Sequence, residues 1–100
     1  MSLLDDYRVQ IDSIDAKLVP LFLERMTVTQ KVGEYKKQNG LPVLDSGREQ
    51  QVLAAKTALA DGPAAKADVA ALYESIMAIS RRQQRKVVRE GAEDPGFARW

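Results

Sequence analysis

The 100-residue chain is expected to be all-α, with three helices of which the first is long, assembled as an intertwined homodimer. Three observations predict this. Apolar residues recur at heptad spacing from Leu4 to Asn39. Turn-forming residues cluster at two internal places, Asn39–Pro42 and Asp61–Pro63. No segment shows the period-two alternation of a half-buried strand.

The first helix is read over Leu4–Asn39. Tyr7, Ile14, Leu21, Val28 and Tyr35 occupy one heptad position, and Leu4, Ile11, Leu18 and Val32 the other. Arg25 stands where one more apolar residue belongs. Asn39-Gly40 supplies a C-terminal stop, and Leu41-Pro42 opposes continuation. Pro20 is the exception inside the span. A mid-helix proline removes one backbone hydrogen bond and costs about 3 kcal/mol. The seam keeps its phase on both sides of Pro20, so the expectation is one helix with a local kink. At 1.5 Å per residue it would be about 54 Å long. A compact chain of this size has a radius of gyration of about 13 Å. One chain cannot cover both ends of such a helix, so its seam is expected to meet a second chain.

The second helix is expected from Asp45 or Ser46 to about Ala60, with Ser46 and Glu49 at capping-box spacing. Asp61-Gly62-Pro63 is a turn. The third helix is read from about Ala64 to Arg89, with Val69, Leu72, Tyr73, Ile76, Ile79 and Val87 on its apolar face. Residues 1–90 thus form one helical domain, and 91–100, without a period, are read as a flexible tail.

Composition narrows the chemistry. The chain has 15 Lys+Arg against 14 Asp+Glu, no Cys and no His. Thiol nucleophiles, imidazole bases and thiolate metal sites are excluded, and no metal site is expected. A net charge of +1 makes no general case for nucleic acid or a membrane surface. The acidic start Met-Ser-Leu-Leu-Asp-Asp lacks a signal-peptide pattern, and no apolar run approaches a membrane span. A cytoplasmic protein is expected.

Polar residues interrupt the apolar faces at a few places. Arg25 either snorkels or pairs with Glu24 or a partner carboxylate, or it awaits an anionic ligand. Lys36, eleven residues on, lies about 20° round the helix and about 17 Å along it, so both cations can reach one anion. Arg8 lies about 26 Å from Arg25 and about 100° round the helix, out of reach of the same site in the same chain. It is either an ordinary surface arginine or the contribution of a partner. Asp45 or Ser46 caps the second helix, and an Arg48–Glu49 pair facing a cavity is the alternative use of Glu49. On the third helix Ser80 and Gln84 interrupt the stripe Tyr73, Ile76, Val87, either as interhelical hydrogen bonds or as neutral donors to a ligand. The basic run Arg81, Arg82, Arg85, Lys86, Arg89 is read as a solvated face. Three cations, a carboxylate and two neutral hydrogen-bonding groups suit a small dianion.

Taken together, Arg8, Arg25, Lys36, Asp45, Arg48, Glu49, Ser80 and Gln84 resemble the polar set of the all-helical chorismate mutases. The local strings agree: Arg8-Val-Gln-Ile-Asp-Ser-Ile-Asp15, Leu23-Glu-Arg25, Val32-Gly-Glu-Tyr-Lys36 and Pro42-Val-Leu-Asp45-Ser-Gly-Arg48-Glu49. The resemblance spans about residues 4–88. It implies an intertwined dimer that converts chorismate to prephenate, on the way to phenylalanine and tyrosine, without cofactor. It implies that Arg8 of the partner chain and Arg25 bind the substrate carboxylates, that Lys36 donates to a carboxylate and the ether oxygen, and that Gln84 donates to the ether oxygen. Glu49 would accept from the ring hydroxyl, with Asp45 and Arg48 shaping that end, Ser80 assisting at a carboxylate, and Val32 and Ile76 as apolar walls. Some small members depend on a partner enzyme of the aromatic pathway, for which the tail would be a docking segment. Elimination of pyruvate from isochorismate on the same scaffold and a non-catalytic helical interaction module are the rival readings. A nucleic-acid binder using the third helix is the remaining one.

Overall fold

A computed structural model describes residues 2–93 of the chain. The order is α1 (Leu3–Asn39), α2 (Ser46–Thr57) and α3 (Pro63–Glu93). The expected tail therefore begins inside α3, and residues 94–100 of it lie outside the described residues.

Local chemistry sets each helix end. Ser2 caps α1: its Oγ accepts from the Asp5 N–H at 3.1 Å, and the Asp5 carboxylate accepts from the Ser2 N–H at 3.1 Å. This reciprocal box satisfies two of the amides that a helix start leaves without partners. At the other end Gly40 adopts φ 65°, and the Leu41 N–H returns to the Lys36 carbonyl at 2.8 Å. A left-handed residue at this place favours glycine. α1 passes through Pro20 without interruption. Ala16, whose carbonyl loses its donor there, is exposed, so water can satisfy it.

Asp45 caps α2 by accepting from the Arg48 N–H at 3.0 Å. The expected box between Ser46 and Glu49 does not form, because Asp45 already serves the first turn and Glu49 turns elsewhere. α2 stops at Thr57 rather than near Ala60, since the next amides close tighter turns onto Lys56 and Thr57. Lys66 of α3 donates to the Thr57 carbonyl at 3.0 Å, covering one of the carbonyls that α2 leaves open. Gly62 at φ 87° and Pro63 at the first helical position turn the chain into α3.

α3 packs on both α1 and α2. Hydrogen bonds cross its junction with α1. The Gln83 amide is held at both ends: its Nε2 donates to the Met26 carbonyl at 2.8 Å, and its Oε1 accepts from Thr29 Oγ1 at 2.7 Å. Gly33 is buried against α3. A Cβ there would stand 3.1 Å from Gln84 Cγ and 3.3 Å from Gln84 Cα.

The result is a thin slab, 60 × 32 × 15 Å, with a radius of gyration of 18.1 Å. The thickness is little more than one helix with its side chains, about 10–12 Å. Such a layer encloses almost no core. Among the described residues the buried hydrophobic ones are Val52 and Met77, while every apolar residue of the α1 seam, from Leu4 to Tyr35, is 38–63% exposed. No helix among the described residues is long and apolar enough to cross a membrane.

Candidate functional site

Among the described residues, the most deeply buried side chains line a cleft. Ser80 and Gln84 are 5% and 6% exposed, as deeply buried as Val52 and Met77. All four line one cleft of about 300 Å³ between the three helices. From α1 it takes Arg25, Val28, Thr29, Val32 and Lys36; from α2 and the segment before it, Val43, Asp45, Arg48, Glu49 and Val52; from α3, Met77, Ser80, Arg81 and Gln84.

The hydrogen bonds assign the polar groups. Lys36 Nζ donates to the Val43 carbonyl at 2.7 Å and to Gln84 Oε1 at 2.9 Å. An ammonium has three donors and no acceptor. Lys36 therefore keeps one N–H for a ligand, and it forces Gln84 to present its oxygen. The Gln84 Nε2 donors are left over, with no protein acceptor among the described residues. Arg25 Nη1 donates to Ser80 Oγ at 3.1 Å. Ser80 in turn donates to the Ile76 carbonyl at 3.0 Å. A hydroxyl has one proton, so Ser80 holds the Arg25 guanidinium in place, and four of its five N–H groups remain. Glu49 accepts from Arg81 across the α2–α3 junction.

Four cations, Arg25, Lys36, Arg48 and Arg81, stand against the carboxylates Asp45 and Glu49, leaving a formal charge of +2 in the cleft. Neither Arg25 nor Lys36 has a carboxylate partner among the described residues. Charges in a partly desolvated cleft without counter-charge make an anion site, and a dianion would neutralise this one.

Of the residues singled out in the sequence, Arg25, Val32, Lys36, Asp45, Arg48, Glu49, Ser80 and Gln84 share this cleft. Arg8 is exposed on the N-terminal part of α1 and does not line it. Ile76 does not line it either. Met77, Ser80, Arg81 and Gln84 span an arc of α3 whose centre lies about 90° from Ile76 at 100° per residue. The wall expected at Ile76 is supplied by Met77, and only the Ile76 carbonyl takes part, through Ser80.

Val28, Thr29, Val43, Val52, Met77 and Arg81 were not singled out. Arg81 was hidden in the basic run, which divides: Arg81 turns into the cleft, while Arg82, Arg85 and Arg89 are exposed and, with Met26 and Ile79, border a separate depression.

Gly33 bears on the site through Gln84. Gly33→Ala gains about 0.5–1 kcal/mol of helix propensity, but its methyl must push Gln84, backbone included, by a few tenths of an ångström. The expected outcome is a thermal stability changed by no more than about 1 kcal/mol, which calorimetry checks.

Comparison with known proteins gives the family. Residues 7–85 match the model of chorismate mutase type II. A protein named T-protein from Haemophilus influenzae is 38% identical over 69 residues, covering 69% of this chain and 18% of the relative. A T-protein from Enterobacter agglomerans is 33% identical over 93 residues, covering 90% and 22%. A chorismate mutase from Methanocaldococcus jannaschii is 39% identical over 49 residues, covering 49% and 50%. The matched part of the chain thus spans 18–50% of the length of these relatives. The match runs through all three helices and includes every residue that lines the cleft, and on it the chain belongs to the chorismate mutase type II family.

Proposed function

We propose that this chain is a chorismate mutase acting as an intertwined homodimer, converting chorismate to prephenate by an intramolecular [3,3] rearrangement. The observation that carries the reading is the pairing, in one cleft, of two cations without carboxylate partners, Arg25 and Lys36, with the open amide donors of Gln84.

The reaction breaks a C–O bond and forms a C–C bond within one molecule. It needs no nucleophile and no proton transfer. Rate comes from holding a chair-like conformer and from donors aimed at the oxygen on which negative charge develops. Arg25, seated by Ser80, binds one substrate carboxylate through its remaining N–H fork. The third Lys36 N–H and the Gln84 Nε2 serve the ether oxygen, and because Lys36 fixes the Gln84 amide, that donor is oriented before substrate arrives. Glu49 accepts from the ring hydroxyl, with Asp45 and Arg48 at the same end. Val28, Val32, Val43, Val52 and Met77 exclude water around the breaking bond.

Arg8 completes the site from the second chain. The exposed α1 seam supports this: nine apolar residues, from Leu4 to Tyr35, stand uncovered in the single chain, and a second copy is the surface that shares their periodicity. A homodimer with two sites follows. A partner enzyme of the aromatic pathway would bind outside these sites.

Purified protein given chorismate and, separately, isochorismate tests the reading. Loss of chorismate absorbance with formation of prephenate is expected. Release of pyruvate from isochorismate without prephenate formation would assign the lyase activity instead. A further test concerns Gln84. An amide donates at any pH, so the wild-type rate is not expected to climb as the medium is acidified below neutrality. Gln84→Glu must be protonated to donate, and its rate is expected to rise on acidification. A pH–rate profile of both proteins checks the contrast.

A further inference from the structure

Resting on the chorismate mutase reading, we infer that Arg81 is a positioning residue that sets Glu49 for the substrate hydroxyl. Glu49 lies in the first turn of α2, one residue past the position from which a capping-box glutamate turns back to the N-cap. Here Asp45 takes the capping role, and the Glu49 carboxylate crosses to α3, where Arg81 Nη1 donates to its Oε1. In a chain with 29% charged residues, this is the one ion pair recorded among the described residues, and it stands inside the cleft, with both side chains about a quarter exposed (25% and 24%).

The pair leaves Glu49 Oε2 with no protein donor among the described residues. One carboxylate oxygen is anchored and the other is available. A glutamate without that anchor would distribute over rotamers and would have to be ordered when substrate binds. The other charged groups lining the cleft are Asp45, a like charge, and the cations Arg25 and Lys36 of α1, Arg48 of α2 and Arg81 of α3. Of these, Arg81 makes the recorded contact. The arginine thus acts through Glu49.

A purely structural tie between α2 and α3 is the competing role, and a double-mutant cycle separates the two. kcat/KM for chorismate is measured for wild type, Arg81→Met, Glu49→Gln and the double variant, with thermal melts of each. Arg81→Met is expected to lower kcat/KM roughly tenfold in the wild-type background and by less than about twofold in the Glu49→Gln background. Arg81→Lys, which keeps the charge, is expected to recover kcat/KM to within about threefold of wild type. Equal losses in both backgrounds, or a lowered Tm with kcat/KM unchanged, would overturn the inference. Wild-type protein that leaves chorismate unconverted would overturn the functional reading itself, which the same assay reports first.

Discussion

Arg25→Ala is expected to lower kcat/KM for chorismate by about 10²–10³-fold while leaving the helical signal and the melting temperature near wild type. Truncating one partner of a desolvated, hydrogen-bonded charge pair costs about 2–5 kcal/mol, and each 1.4 kcal/mol is about tenfold in rate. The structure separates this loss from folding. Arg25 makes one protein hydrogen bond, to Ser80 Oγ, as donor. Ser80 keeps its own bond to the Ile76 carbonyl when Arg25 is removed. No buried donor is orphaned, and Arg25 has no carboxylate partner to leave behind. Steady-state kinetics beside circular dichroism check the split. Near-normal turnover would mean that the cleft does not hold the substrate through this guanidinium.

Arg8→Ala is expected to be nearly as damaging, although Arg8 is exposed and outside the cleft of its own chain. The decisive form of this prediction uses two inactive proteins. In a dimer whose sites each take Arg25 from one chain and Arg8 from the other, a heterodimer of Arg8→Ala and Arg25→Ala chains has one intact site and one doubly damaged site. Random pairing of equal amounts makes about half of the dimers mixed, so about a quarter of all sites regain both arginines. Co-refolding the two variants should therefore restore about a quarter of wild-type activity. No recovery on mixing, with dimers present by light scattering, would place Arg8 outside the site.

That second prediction depends on the proposed dimer interface. The α1 seam was read from heptad spacing alone, and in the folded chain all nine of its apolar residues stay uncovered. A slab 15 Å thick gives them nothing to pack against. The long helix also passes Pro20 unbroken, as the constant phase of the seam implied. Helix ends followed from nearby residues, Gly40 at one and Asp45 at another, because capping is chemistry between neighbours in the chain.

Less of the site could be read in advance. The positions of Arg25 and Lys36 on one face of α1 follow from helical spacing. The partner of Glu49 does not. Sequence proximity suggested a box with Ser46 or a pair with Arg48, and the fold brings Arg81 to it from 32 residues away. The α3 residue at the wall was misjudged for the same reason: Met77, not Ile76, lies within the arc that α3 turns towards α1 and α2. Of the two readings of Ser80, an interhelical hydrogen bond or a neutral donor to a ligand, the folded chain shows the first, with Arg25 as its donor.

The residues of one helix, read alone, fix its apolar stripe, its cations and their angular separation. These depend on a fixed rise and a fixed angle per residue. What the packed chain alone revealed is how each helix is rotated and offset against its neighbours. That rotation is set by interhelical contacts, among them Gly33 against Gln84 and the Gln83 amide between Met26 and Thr29. It selects which face of α3 enters the cleft, which way the Gln84 amide points, and which arginine Glu49 meets.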